Sequence, residues 1–488
     1  MQECKDLKRL HRSKKKQYVN QMFTELDQLH GSNPKGYMDL VKSMRDGSFD
    51  KQISDSTLQI SPENWKAHFQ GLLGPITVVS PAEDEMTSYV EQNCDLARSS
   101  LDRPFTRPEL LLTISSLKNN KAICLDRVSN EMLKTSKLVI VKKLLVLFNS
   151  ILLSTLYPTE WKKNILTPIH KADCLTDPSN FRGVAVSLCL GKLFNKLLQK
   201  RLEAKCVNEG LINKSQGSGK IGSRTADHLI IIRFLIDKYV TAGGTKLFAC
   251  FFDIHKAFDC VPRTQLFYKL LKDYKIGGNF LKLMQEIYTK NPVYIKISEG
   301  LCQPFHTTVG VLQGEAHSLL LFNMFINQIS EIFDESCDPV KINNQNQSCL
   351  LWADDLFVVS TSEKGLQNAI NLVSSFYTSL GLQLNTKKTK IIIFNKSGKV
   401  LKGYKFVLDG AQLEVADHYQ YLGIKLRPSG SLSFAAEELC AKARKAWFSI
   451  SNIVYKDKRM PVQRAFQLFD SLVTPAALYG CEFWFHIF

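Results

Sequence analysis

Two adjacent aspartates, Asp354 and Asp355, interrupt the apolar run "CLLWADDLFVVS" that begins at Cys349. Polar residues are common in strand–strand turns, so the pair taken alone leaves a hairpin turn and a metal site both open. A metal site needs a further acidic ligand. "FFDIHKAFD" supplies one, because Asp253 follows an apolar, aromatic run and precedes a turn toward a helix. Carboxylates at the ends of neighbouring strands can converge on one sheet edge, where they repel. Magnesium removes that repulsion, prefers hard oxygen ligands and keeps phosphates and waters in its shell. Two such ions, about 3.5–4 Å apart, activate the attacking oxygen and stabilise the leaving oxygen in phosphoryl transfer.

The elements that must position these acids follow from hydrophobic period. "KLFACFFDI" reads as a strand, "LLWADDLFVVS" as a strand pair, and "PVYIKIS" with "PFHTTVGV" as a hairpin. "NILTPIHK", "TKIIIF" and "YQYLGIKL" read as further strands. "TRPELLLTISSLKNNKA" is a helix entered through Thr106 and Pro108. Helical spacing recurs in "SKLVIVKKLLVLFNSILLSTLYPTEW", ending before Pro158, in Ser187–Gly210 and in Thr225–Val240. "GPITVVSPAEDE" (Gly74–Glu85) reads as a linker. Mixed strands and helices, with an antiparallel hairpin carrying the acids, predict an α+β sheet domain and not a doubly wound parallel one.

Bulk properties narrow the partners. The 488-residue chain is 44% hydrophobic, enough for a real core, and carries a formal charge of +17. That excess favours a polyanion, nucleic acid before an anionic membrane. The 13 cysteines form no Cys-x-x-Cys pair and no Cys/His cluster with zinc spacing, which points to reduced thiols in an intracellular protein. The charged N-terminus has no signal-peptide core, and no apolar stretch reaches the roughly 20 residues that span a bilayer. The basic segment Lys8–Lys16 is open to a solvated helix face, a phosphate contact or a nuclear-import signal.

"FFDIHKAFDCVPR", "GVLQG", "LLFNMFIN", "WADD", "LNTKKTK" and "YQYLGI" stand in an order and spacing that resemble the reverse transcriptases of non-LTR retrotransposons, the LINE-like, jockey-type elements. Upstream, "KAICLDRVSNEMLK", "PIHKADCLTDPSNFRGVAVS" and "QGSGKIGSRTADHL" resemble the finger motifs of that family, so the likeness covers roughly residues 100–480. It implies a right-hand polymerase fold: a basic N-terminal region over 1–100, fingers over 101–235, a ferredoxin-like palm over 236–425 and a truncated helical thumb over 426–488. It implies an RNA template, a DNA primer and dNTPs as partners, two magnesium ions (or manganese in their place), no membrane, and action in the nucleus after cytoplasmic synthesis.

By the same resemblance, Asp253 and Asp354 are the principal metal ligands and Asp355 completes the triad. Phe258 is the bulky gate against a ribose 2′-OH. Gln313 and Gly314 lie beside the incoming nucleotide and template. Lys171 and Arg182 embrace the triphosphate, a role to which guanidinium is suited. Lys388 is the residue chosen to protonate pyrophosphate, with Lys387 and Lys390 competing. Tyr421, Leu422 and Gly423 form the primer grip.

The chain also departs from the family pattern. After Gln313–Gly314 the usual Ser-Pro-x-Ser-Pro is replaced by Glu315, Ala316, His317, Ser318 and Leu319. A carboxylate at 315 is expected to weaken nucleotide binding by like charge. Ile123, Cys124 and Arg127 stand where Pro and two Gly are usual, and Ser218, Gly219 and Lys220 where Gly-Phe-Arg is usual. Neither the N-terminal endonuclease nor the Cys/His-rich tail of full-length elements is visible, which suggests a fragment or decayed copy. The second function to weigh is therefore a catalytically inactive, decayed or domesticated relic that still binds nucleic acid. An RNA-templated RNA polymerase is disfavoured by Phe258 and the motif set.

Overall fold

The computed structural model describes residues 21–29, 32–33, 36–41, 60–75, 80–97, 100–171, 174–297, 300–456 and 461–483, with Lys14 and Gln17. All but Lys14 of the basic Lys8–Lys16 segment lies outside the described residues. The chain divides into two compact units, one of residues 1–54 with 432–481, the other of residues 55–431 with 482–488. Residues 1–100 thus contribute to both.

In the larger unit, one sheet is built from β3 (Leu247–Phe252), β9 (Cys349–Trp352), β10 (Asp355–Ser360), β11 (Lys390–Phe394), β12 (Phe406–Leu408) and β13 (Ala411–Val415), in the order β12-β13-β11-β3-β10-β9. β3 is central and buried at all six positions, with β10 and β11 antiparallel on its two sides. Because strand side chains alternate between faces, the two faces have different partners. Phe248, Cys250 and Phe252 of β3 and Leu356 and Val358 of β10 join a core with Leu366, Ile370, Val373 and Tyr377 of the Glu363–Ser379 helix. On the other face, Phe251 lies 5.2 Å from Phe357 between ring centroids and stacks at 4.5 Å on Tyr419. Tyr419 belongs to a hairpin of β14 (Tyr419–Tyr421) and β15 (Ile424–Leu426).

A second sheet joins β1 (Asn164–His170), β2 (Phe181–Ser187), β4 (Asn291–Ile297), β5 (Gly300–Leu301) and β6 (Phe305–Thr307). β1 pairs antiparallel with β2 and parallel with β4, and β4 pairs with β6 in the expected hairpin. The Pro62–Leu73 helix covers this sheet, with Trp65 and Phe69 packed on Leu166, Phe181, Val293 and Ile295. The segment read as a linker is in part a helix, Pro81–Asn93, closed at its start by a capping box between Ser80 and Glu83. The helix at Thr106 opens the same way, with Glu109 as partner. The mixed α+β class is as expected. No helix among the described residues is long and apolar enough to cross a membrane.

The smaller unit is helical. Phe23, Leu26, Tyr37 and Val41 form one core with Ala443, Ile450, Leu468 and Val473, and Arg464 pairs with Asp27 at 2.6 Å.

Candidate active site

The aspartate pair sits where β9 turns into β10. Trp352 pairs with Asp355, which leaves Ala353 and Asp354 as a two-residue turn. Ala353 has φ +56°, the left-handed backbone that such tight hairpins require. A non-glycine residue there is strained, and the structure supplies a restraint: the Ala353 N–H donates to Gln216 Oε1 at 3.0 Å. Gln216 belongs to a stretch that runs beside β9, with Gly217 N donating to Leu351 O at 2.8 Å and Leu351 N to Ser215 O at 2.9 Å. Gly217 is required by close approach. A Cβ there would lie 2.6 Å from His228 Nε2 and 2.9 Å from the Trp352 ring. His228 is edge-on to Trp352 at 5.4 Å and shares a hydrogen bond with the Tyr421 hydroxyl at 3.2 Å. Burial lowers the His228 pKa to about 4, so the ring is neutral near pH 7.

Asp253 follows β3. In the antiparallel register Phe252 pairs with Leu356 and Phe251 with Phe357, so one further step sets Asp253 opposite Asp355 on the Phe251–Phe357 face. The backbone of Asp253 is clasped by the turn before β11: its N–H donates to Thr389 Oγ1 at 3.2 Å and its carbonyl accepts from Asn385 N at 2.8 Å. The fields of the three carboxylates overlap. Burial raises the Asp354 pKa, Asp253 adds to the rise, and Arg182 and Lys171 oppose it. Asp355 is exposed on its outer side, yet crowding by the hairpin, then Asp354 and Asp253, push it up to about 6. The same acids help burial raise the phenol of Tyr419.

Lys171 and Arg182 reach this edge from the second sheet. Both are exposed, at the β1–β2 end where Lys171 N donates to Asn180 O at 2.9 Å. Gln313 and Gly314 lie against the same strand pair. Gln313 O accepts from Ala185 N at 2.7 Å, and Gly314 has φ +108°, with the Ala185 carbonyl 2.5 Å from where a Cβ would be. Phe258 is half-buried and stacks on Phe322 at 4.5 Å. Tyr421 is buried against Phe357 and His228, while Leu422 and Gly423, at φ +46° and +85°, form the tight turn between β14 and β15. Lys388 is exposed on the turn that clasps Asp253, as is Lys387. Lys390 is engaged in an ion pair with Glu414.

Two expectations change. The Glu315 carboxylate does not stand free in the loop after Gly314: Ser187 Oγ and Asn195 Nδ2 both donate to it. Arg127, at a position where glycine is usual, has φ +54°, so the backbone keeps the glycine-type conformation without the glycine. The motifs did not reveal the supporting residues Gln216, His228, Asn385 and Thr389. Gln216 and His228 fall inside "QGSGKIGSRTADHL", but nothing in that string shows that it adds itself to β9.

Magnesium suits the chemistry of this donor set, three like-charged carboxylates at the ends of neighbouring strands. Among the described residues, no three His, Cys, Asp or Glu side chains are gathered closely enough to hold an ion as they stand, so ligation requires the carboxylates to converge.

A family model described as "Reverse transcriptase (RNA-dependent DNA polymerase)" matches residues 169–426, more than half of the chain. The chain belongs to the reverse transcriptase family. The matched span holds every site residue named above from Lys171 to Gly423. Among curated proteins, this reverse transcriptase homologue is similar to the probable RNA-directed DNA polymerase from transposon X-element of Drosophila melanogaster, at 20% identity over 84% of this chain and 44% of that protein. It is similar to the RNA-directed DNA polymerase from mobile element jockey of the same species, at 22% identity over 82% and 45%. It also resembles the Pol polyprotein from type-1 retrotransposable element R2 of Popillia japonica, at 24% identity over 67% and 45%. These relatives place it with the non-LTR retrotransposon enzymes, and it spans less than half of their length.

Proposed function

We propose that the chain is an RNA-directed DNA polymerase of the non-LTR retrotransposon type, adding dNTPs to the 3′-OH of a DNA primer on an RNA template. The observation that carries this reading is the shared field at one sheet edge, where Asp253, Asp354 and Asp355 meet the charges of Lys171 and Arg182. Such an edge can hold a triphosphate and its cations together. In this reading residues 101–235 act as fingers, 236–425 as palm and 426–488 as thumb.

The three aspartates would hold magnesium, with manganese as a substitute; when bound, the ions lower the cost of the attacking and leaving oxygen charges. Lys171 and Arg182 draw the triphosphate against the sheet edge, and positioning of this kind supplies most of the catalysis in phosphoryl transfer. The Gln313–Gly314 backbone lies along the base and template. Phe258, braced on Phe322, meets the ribose and turns away a 2′-OH. Tyr421, Leu422 and Gly423 seat the primer end. The primer 3′-OH gives up its proton to solvent water as its oxygen bonds to the α-phosphorus, the bond from that phosphorus to the oxygen bridging to the β-phosphate breaks, and Lys388 donates a proton to the departing pyrophosphate. The excess of 63 Lys and Arg over 46 Asp and Glu favours the polyanionic partners.

The test is dNTP incorporation by the intact chain on a primed RNA template with magnesium or manganese. Incorporation that disappears in Asp354→Ala supports the reading; none by the intact chain refutes it. The second reading, an inactive nucleic-acid-binding relic, is favoured by Arg127 in its strained backbone. It requires RNA binding that falls steeply with salt and no incorporation.

A further inference from the structure

The loop after Gly314 carries no proline: Glu315, Ala316, His317, Ser318 and Leu319 follow in turn. Backbone restraint alone would leave it loose, yet it is tightly held. Ser187, at the end of β2, donates to Glu315 Oε1. Asn195, on the Cys189–Glu209 helix, donates from Nδ2 to Glu315 Oε2 at 3.3 Å, and its own Oδ1 accepts from the Tyr157 hydroxyl at 3.2 Å. The Ser318 hydroxyl closes the loop on itself through Leu312 O at 2.7 Å.

Beside these contacts lies a small cavity of about 10 Å³, lined by Tyr157, Asn164, Asn195, Asn291, Glu315 and His317 among others. That is room for one water. Asn164 Oδ1, Asn291 Oδ1 and both ring nitrogens of His317 are buried there with no hydrogen-bond partner among the described residues, and such groups normally find one. The ties that the structure shows are those of the Glu315 carboxylate to β2 and to the Cys189–Glu209 helix, and that of Ser318 within the loop.

We propose that Glu315 is a positioning residue: its carboxylate, tied to Ser187 and Asn195, holds the Gln313–Gly314 backbone against β2 at the place where nucleotide and template would lie. The tether is a statement about this chain's own loop, and only its kinetic consequence rests on the polymerase reading. A carboxylate acceptor for two side-chain donors is worth more than a neutral one, so its removal frees the loop. Glutamine keeps one carbonyl acceptor and is expected to restore part of the hold.

Hydrogen exchange of the backbone amides of residues 312–318 in the intact chain tests the tether directly. Glu315→Ala should speed exchange about tenfold, Ser187→Ala should speed it less, and Glu315→Gln should fall between Glu315→Ala and the parent. In dNTP incorporation, Glu315→Ala should raise KM about tenfold with a smaller change in kcat, and Glu315→Gln should rescue it in part. Unchanged exchange in both Glu315→Ala and Ser187→Ala would overturn the proposal. So would a lower KM in Glu315→Ala, which would mean that the carboxylate repels the nucleotide. If Glu315→Ala does not fold, Ser187→Ala decides the exchange measurement. A parent chain that incorporates no dNTP refutes the polymerase reading and leaves the exchange result to decide the tether.

Discussion

The Ala353–Asp354 turn and the Gln313–His317 loop meet the same site but are held in different ways. The turn is part of a ladder: its two strands pair with each other, β10 pairs with β3, and one side chain, that of Gln216, restrains the strained residue. The loop has one backbone bond to β2 and local closures onto Leu312 O from Glu315 N and Ser318 Oγ, and its ties to other elements come from the side chains of Ser187 and Asn195, 128 and 120 positions away. A turn specified by its own strands tolerates change around it. A loop specified by distant side chains is where substitutions alter behaviour while the acids remain intact.

Four experiments would break or sharpen that contrast. Asp354→Ala acts on the turn's chemistry and should reduce incorporation at least ~1,000-fold, because the developing charges lose a principal ligand position; primer extension measures it. Gly217→Ala acts on the turn's support. A methyl group forced onto His228 and Trp352 should cost about 2 kcal/mol, within the usual range for overpacking, read by urea unfolding.

Acid should weaken the same support. His228 has a folded pKa of about 4 against 6.5 for the free side chain, so the unfolded chain binds the proton first as pH falls. The stability is fully present above pH 6.5 and declines from there toward 4, by about 2 kcal/mol at pH 5. Thermal melts of the parent and His228→Gln across pH 5–7 should differ by that slope. Last, Arg127→Gly relieves left-handed strain outside both elements. The relief exceeds the entropic cost of glycine by only about 0.5 kcal/mol, a small rise in the urea midpoint. A larger gain than the loss from Gly217→Ala would mean that the hairpin is not the most stressed part of the chain.

The same difference explains what the sequence could reveal. The aspartate hairpin, β3 and the β4–β6 pair are legible because their determinants are local, an apolar period of two broken by turn residues. The Thr106 helix start is legible for the same reason, with Glu109 three residues on. An equal signal stands at Ser80, Pro81 and Glu83, but it lies in a stretch whose break at Gly74–Pro75 reads as a linker. The partners of Glu315 could not be read from its type, which suggests repulsion from phosphate; only the fold brings Ser187 and Asn195 to it. The three lysines near Asp253 were equivalent as a string; Glu414, on β13, is what sets Lys390 apart.

The helical unit carries a consequence for how the chain is made. Asp27 and Arg464 are separated by 437 positions, and Phe23, Leu26, Tyr37 and Val41 share their core with residues from 443 onward. At ~5–20 residues per second on the ribosome, roughly 20–90 s separate the emergence of the two halves of that core. The early helices therefore pass through synthesis with an apolar stripe uncovered while the sheet unit folds. A chaperone that shields residues 21–41 in that interval would raise the yield of native chain more than one acting after release.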